Sequence, residues 1–394
     1  MFMSPSSANK TRLKLVRQSG FSLIEALIAL TVTLTVLALG MSFVFQSWKT
    51  QSFAATQNML KQHAEGALFK MSKGLAEAKI LFEENAEGVA YKNKLAFTSA
   101  APQPVTNSFL PTIRGNGTIY QSQTCEVDGE EYFWGPSVGN SLYFVSLSGV
   151  LDMQVEGVAL STTVSPRVLD LYRFRYFYIT DQYEDSGVTY KISRHVNTPR
   201  PALQLMEWSS ELYVDYRQLK SFFDDVEVTA SDKAAVLAKL NEMEVEAAWE
   251  KGEPNPAQAF RNLNTSLSSK NAGYKIKAES LRKVMPWSNS SSDIYSIAYN
   301  QDLSPASPTF FDIRLKVPQF FVNDPPEDCS SATTVPMPSE NSRPTTDFPL
   351  GFEVAIVGPN SGRTVHMHLS VVGQTNYPRL VEQSHSLSAY AKDL

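Results

Sequence analysis

The sequence lacks nearly everything that marks a common enzyme class or a nucleic-acid-binding protein. Among its 394 residues are two cysteines, Cys125 and Cys329, and five histidines. Two thiols are too few for a disulfide scaffold, and these lack the paired spacing of a zinc site. There is no G-x-S-x-G, no H-E-x-x-H, no phosphate-binding loop and no glycine-rich dinucleotide fingerprint, so hydrolase, zinc-peptidase, NTPase and dehydrogenase chemistry leave no footprint. The expectation is a protein that is not an enzyme and holds no cofactor. Surplus positive charge is missing too: 35 basic and 40 acidic side chains give −5, which argues against nucleic acid as a main partner. Apolar material is plentiful, at 43% of residues with 11% aromatic. That is enough for one large core or two ordinary ones, and it excludes a disordered or fibrous chain.

Charge and hydrophobicity are both concentrated at the amino terminus. Residues 1–20 contain Lys10, Arg12, Lys14 and Arg17 and no acid. From Phe21 to Phe45 the chain reads FSLIEALIALTVTLTVLALGMSFVF, with Glu25 as its single charge and no proline. As a helix this run is roughly 37 Å long, enough to cross a hydrocarbon core of about 30 Å with some tilt. The basic flank stays cytoplasmic by the positive-inside rule, which places residues beyond about 46 outside the cytoplasm. An ordinary secretory signal would have a shorter apolar stretch and a small-residue cleavage site, whereas here QSWKTQSF follows Phe45.

The junction Gly20-Phe21-Ser22-Leu23-Ile24-Glu25-Ala26 closely resembles the processing site of type IV prepilins and of the pseudopilins of type II secretion, with leader, glycine, phenylalanine, glutamate and uninterrupted span in register. The resemblance covers about residues 10–55. It implies cleavage between Gly20 and Phe21 by a membrane-embedded prepilin peptidase and methylation of the new Phe21 amino group. It further implies partners among other pilins or pseudopilins through the amino-terminal helix, and an inner-membrane assembly platform. Two readings fit Glu25. It can snorkel to the interface from the first turn, favoured by the positive end of the helix dipole. Or it pairs with the positive amino terminus of a neighbouring subunit, which neutralises a carboxylate that is costly in hydrocarbon; the complete motif favours this assembly role. Thr31, Thr33, Thr35 and Gly40 suit close helix packing and simple tolerance in a lone span equally well. Many major pilins have a helix-loosening proline in this region, where this chain has Gly40 and Ser42.

Beyond Trp48, Leu60, Ala64, Ala67, Met71, Leu75, Ala78 and Phe82 recur every three or four residues, which predicts an amphipathic continuation of the helix over 46–88, stopped by Gly88. From 89 to 394 the signals are β-rich. Strands are expected at 141–145, 168–179, 293–299, 309–317, 351–357 and 363–372, the last taken as the final one. Thr180 to Gly187 reads as a loop joining 168–179 to a hairpin partner at 188–194. Residues 217–285 read as an α-helical insertion, with a helix from Asp232 to Lys251 capped by Ser231, and Val322 to Pro349 as a Pro, Ser and Thr-rich loop. The architecture expected is α+β: a long amino-terminal helix, its first half transmembrane, packed on an antiparallel sheet in a pilin-like manner.

The remaining chemistry-bearing groups carry weaker signals. His366 and His368 share one side of a predicted strand without a third ligand. The acid clusters Asp181-Glu184-Asp185, Asp224-Asp225-Glu227 and Asp324-Glu327-Asp328 have the chemistry for calcium but match no EF-hand loop. Arg173 and Arg175 alternate with aromatics as a stacking nucleic-acid strand would, though an acidic chain favours an ordinary half-exposed sheet face. Cys125 and Cys329, both expected in loops, could close one bridge of about 200 residues in an exported domain, or remain two thiols. The size of the outer domain favours a rare subunit over a repeating one. The resemblance therefore implies a minor pilin at the tip or priming complex of a type IV pilus, similar to W-type minor pilins or J-type pseudopilins. The alternatives are a minor pseudopilin of type II secretion and a filament-displayed adhesin.

Overall fold

A computed structural model describes residues 22–105, 108–114, 123–127, 130–134, 139–191, 193–195, 198–289, 294–297, 351–359, 362–375 and 380–392. The expected strand at 309–317, the loop at 322–349 and the leader lie outside them. In chain order the elements are α1 (Leu23–Ala76), β1 (Ala78–Phe82), α2 (Ala86–Lys92), β2 (Ile113–Arg114), β3 (Gln123–Val127), β4 (Glu130–Trp134), β5 (Ser141–Asp152) and β6 (Val168–Thr180). They continue with β7 (Gln182–Asp185), β8 (Val188–Lys191), β9 (Ser193–His195), β10 (Thr198–Pro201), β11 (Gln204–Ser210), β12 (Leu212–Asp215), α3 (Tyr216–Phe223), α4 (Ala230–Glu242) and β13 (Val245–Trp249). The chain ends with α5 (Pro256–Ala259), β14 (Phe260–Arg261), β15 (Ala278–Met285), β16 (Ser288–Asn289), β17 (Ile294–Ile297), β18 (Phe352–Val357), β19 (Gly362–Gln374) and β20 (Leu380–Lys392).

The long helix is a single uninterrupted element of 54 residues, running through Gly40 and Ser42 without a break. Contacts divide the chain into two units, Met1–Ser52 and Phe53–Leu394. In the first, every described residue up to Gln51 is exposed, and the helix is long and apolar enough to cross a membrane. In the second, Leu60, Ala64, Ala67, Leu68, Met71 and Leu75 form the buried stripe that the three- and four-residue spacing predicts. The helix ends at Ala76, well short of Gly88. Ala78 and Phe82, read from spacing as helical, lie on β1, which pairs antiparallel with β5. Gly88 is no helix stop: it sits within α2, where a Cβ would collide with the Glu83 carbonyl oxygen.

Two sheets receive the helix. In the eight-stranded one, β5 pairs with β6 along most of its length. The far side of β6 is shared by β11 at one end and β12 at the other, after which the sheet forks: β15 adds to β11, and β13 and β14 follow β12. In the six-stranded one, β20 flanks β19 along its whole length, while β18 and β17 share its other side. Among the described strands, pairing is antiparallel except at β12–β13 and β2–β18. Bridges Gly139–Val354 and Leu203–Ile297 connect the two sheets. The α1 stripe packs in one core with Phe144, Phe177 and Ile179 of the first sheet and Val354, Met367, Leu369 and Val371 of the second. Gly373 lets β19 come close, since a Cβ there would lie 3.2 Å from both Leu60 methyls and from Thr56 Cγ2.

Alternation along β6 sorts its residues between two environments. Phe177 and Ile179 face α1, and Leu169 and Leu171 pack with α3 and α4. Tyr172, Phe174, Tyr176 and Tyr178 point the other way, into an aromatic layer with Phe82, Tyr91, Tyr143, Trp208, Trp249 and Phe260. Phenols tie this layer to its covering loops: Tyr91 donates to the Glu253 carbonyl (2.6 Å) and Tyr178 to that of Pro102 (2.8 Å). Burial pushes the Tyr176 hydroxyl up to about 12.

Several expectations need correction. The segment 217–285 is not purely helical, because β13, β14 and β15 from it join the main sheet. Its helix is shorter than Asp232–Lys251, and its cap is Thr229, in a capping box with Asp232, not Ser231. Glu244, at φ 57°, turns the chain out of that helix and into β13. The hairpin partner of β8 is β7, which lies inside the stretch read as a loop. The last strand is β20.

Candidate processing and assembly site

The described residues begin at Ser22, the second position after the expected scissile bond, so Gly20 and Phe21 lie outside them. Ser22 and Glu25 open the helix. The Ser22 backbone N–H donates to Glu25 Oε2 (3.0 Å), and the Glu25 N–H donates to Ser22 Oγ (3.2 Å). This is a reciprocal capping box, in which each side chain satisfies an amide that the first turn leaves without a helical partner. Ser22 is the residue the sequence reading missed, although serine followed three positions later by glutamate ahead of an apolar run is the signature of such a box. Glu25 therefore has a local partner and a mild dipole stabilisation. Oε1 makes no hydrogen bond among the described residues and is available to a cation without breaking the cap.

The three threonines of the span satisfy their own hydroxyls. Thr31 Oγ1 donates to the Leu27 carbonyl (2.8 Å), Thr33 to Ala29 (2.7 Å) and Thr35 to Thr31 (2.8 Å). Each hydroxyl bonds back one turn, which removes the cost of placing it in hydrocarbon.

The other sequence candidates do not converge. Cys125 lies on β3, opposite Tyr132 of β4, not in a loop; Cys329, and with it any bridge, lies outside the described residues. His366 and His368 do share a face of β19. Each is held by a serine of β20, His366 Nδ1 at 2.7 Å from Ser388 Oγ and His368 Nδ1 at 2.7 Å from Ser386 Oγ. His368 Nε2 also lies 3.1 Å from Ser370 Oγ. Burial, with a smaller contribution from His385, lowers the His368 imidazole to about 4. Asp225 pairs with Arg167 and Asp224 with Lys220, Asp185 accepts from Ser186 Oγ at 3.2 Å, and the cluster at Asp324 lies outside the described residues. Among the described residues no group of three or more His, Cys, Asp or Glu is placed to hold a metal ion. The arginines of β6 are engaged internally: Arg173 pairs with Glu279, and Glu207, almost fully buried, lies 2.9 Å from Lys70 Nζ of α1 and 3.7 Å from Arg175 Nη1. Among the residues whose burial is described, most aromatic side chains are interior.

Residues 15–43 match the family described as the prokaryotic N-terminal methylation motif. No curated protein and no solved structure matches the chain. The matched segment spans the end of the basic leader, the Gly20–Phe21 junction, the capping box and most of the apolar run. The amino terminus thus carries the prepilin-type signal, on a helix that meets the length and apolarity of a single membrane anchor.

Proposed function

We propose that this chain is a minor pilin-like structural subunit, not an enzyme, that is cut between Gly20 and Phe21 by a prepilin peptidase, methylated on Phe21, and incorporated at the tip or priming complex of a type IV pilus. The observation that carries this reading is the methylation motif over residues 15–43 with Glu25 in the first turn of an unbroken helix. The leader stays cytoplasmic and the unit beyond the span lies outside the inner membrane. There the subunit waits in lipid, and cleavage creates a positive amino group at Phe21. A carboxylate and an ammonium each cost a few kcal/mol in hydrocarbon alone, so Glu25 and the amino terminus of a neighbouring subunit gain by meeting when the helices bundle. The internally bonded threonines let the span exchange lipid for helix neighbours without losing a hydrogen bond. A folded unit of two sheets and an aromatic layer is bulky for a regular lattice, which favours rare placement at one end.

Immunogold labelling of filaments from the native host, with antibody raised against residues 53–394, tests the placement. Label at one filament end is expected. Label along the whole length, or none on any filament, overturns the tip assignment.

A further inference from the structure

The apolar run of α1 closes on an aromatic pair. Phe45 and Trp48, one turn apart on the same side of the helix, meet edge to face with ring centroids 6.0 Å apart. Both rings are half exposed, at 51% and 56%. The chain beyond them is polar: Lys49, Thr50, Gln51 and Ser52. An exposed indole at the boundary between apolar and polar helix surface suits one environment above others. Its body is apolar, its N–H needs an acceptor, and the headgroup level of a bilayer supplies both.

The opposite end of the span carries a second polar marker, the Ser22–Glu25 box. Trp48 lies twenty-three residues after Glu25, about 34 Å of helix at about 1.5 Å per residue. The hydrocarbon core is about 30 Å thick, and a tilt of about 20° shortens the separation only to about 32 Å. The two markers are therefore spaced to reach opposite interfaces together.

We propose that the Phe45–Trp48 pair binds the headgroup–acyl boundary of the outer phospholipid leaflet and so holds α1 at the depth where Glu25 reaches the headgroup level of the inner leaflet. The inference rests on the reading of the chain as a membrane-stored subunit and adds where in the bilayer it is stored. Glu25 then keeps its cap and its hydration until a neighbour arrives, and meets hydrocarbon only when paired. Moving α1 by one turn towards the outside would pull Glu25 into the acyl chains; moving it the other way would bury Trp48 and Lys49.

The test is depth-dependent quenching. The full-length chain is reconstituted in vesicles of phosphatidylethanolamine and phosphatidylglycerol doped with phosphatidylcholine brominated either near the headgroup or near the chain ends. The emission of Trp48 is the difference between the wild-type and W48F spectra. It should be blue-shifted from that of tryptophan in water and lose more intensity to shallow bromine than to deep bromine. The double variant Phe45→Trp, Trp48→Phe carries the indole about 4.5 Å deeper, and its difference emission should move towards deep quenching. A chain that floats with the vesicles while its Trp48 emission is unquenched, or better quenched by deep bromine, overturns the depth assignment alone. A chain that does not float overturns the membrane-storage reading as well.

Discussion

Gly373 offers the sharpest test of how α1 is held. A methyl added there would sit 3.2 Å from Leu60 Cδ1, Leu60 Cδ2 and Thr56 Cγ2, closer than ordinary van der Waals contact, in a core where Leu60 is fully buried. Overpacking of this kind costs about 1–3 kcal/mol, while replacing glycine within a strand returns about 0.5–1 kcal/mol of backbone entropy. Gly373→Ala should therefore destabilise the protein by about 1–2 kcal/mol. Leu60→Ala alone should cost about 2–5 kcal/mol by leaving a cavity. In the double variant the added methyl enters space that the leucine has vacated. Urea unfolding of the full chain in detergent, followed by intrinsic fluorescence, should show the double variant to be more stable than the sum of the single effects by about 1 kcal/mol or more. Additivity within about 0.5 kcal/mol would mean that the two residues do not touch, and the docking of α1 on β19 described above would be wrong.

Three further outcomes are expected. Glu25→Gln retains an acceptor for the Ser22 N–H but loses the charge, so it should be processed normally yet fall severalfold in sheared filament fractions, whereas Ser22→Ala, which removes only the cap, should weaken the first turn by about 1 kcal/mol and still assemble; equal assembly of Glu25→Gln and wild type in immunoblots would remove the pairing argument. His368 has a lowered folded value of about 4 against 6.5 unfolded, so below pH 6.5 the unfolded chain binds a proton that the folded chain refuses, and stability falls as pH drops: about 2 kcal/mol between pH 7 and pH 5, in urea titrations, a loss that should shrink in His368→Gln. Gly20→Ala should leave the uncut chain in the membrane fraction, and a mature-sized band on immunoblots would count against cleavage at that bond.

What was legible in the sequence divides along physical lines. The span and the buried stripe of α1 are long, and period 3.6 accumulates over many residues, so Leu60 to Leu75 could be read directly. Its end could not, because Ala78 and Phe82 fit the helical spacing equally well and only pairing with β5 makes that segment a strand. Val245–Trp249 is similar: Val-Glu-Ala-Ala-Trp has little strand preference of its own, and its place beside β12 decides its conformation. The final strand went unread because its alternation sets Ser384, Ser386 and Ser388 against Gln383, His385, Leu387 and Ala389, a faint contrast that matters only once β19 lies alongside. At the candidate site, Glu25 was legible as a lone charge in an apolar run. Ser22 was equally visible, since serine three positions before Glu25 is a local capping pattern, but its hydroxyl lies at the very start of the apolar run, where the span is the stronger signal.

Mass spectrometry of the amino terminus of the protein purified from its native host bears most directly on the central claim. A mature chain beginning at an N-methylated Phe21 is predicted. An intact chain still beginning at Met1, from cells with an active prepilin peptidase, would contradict it.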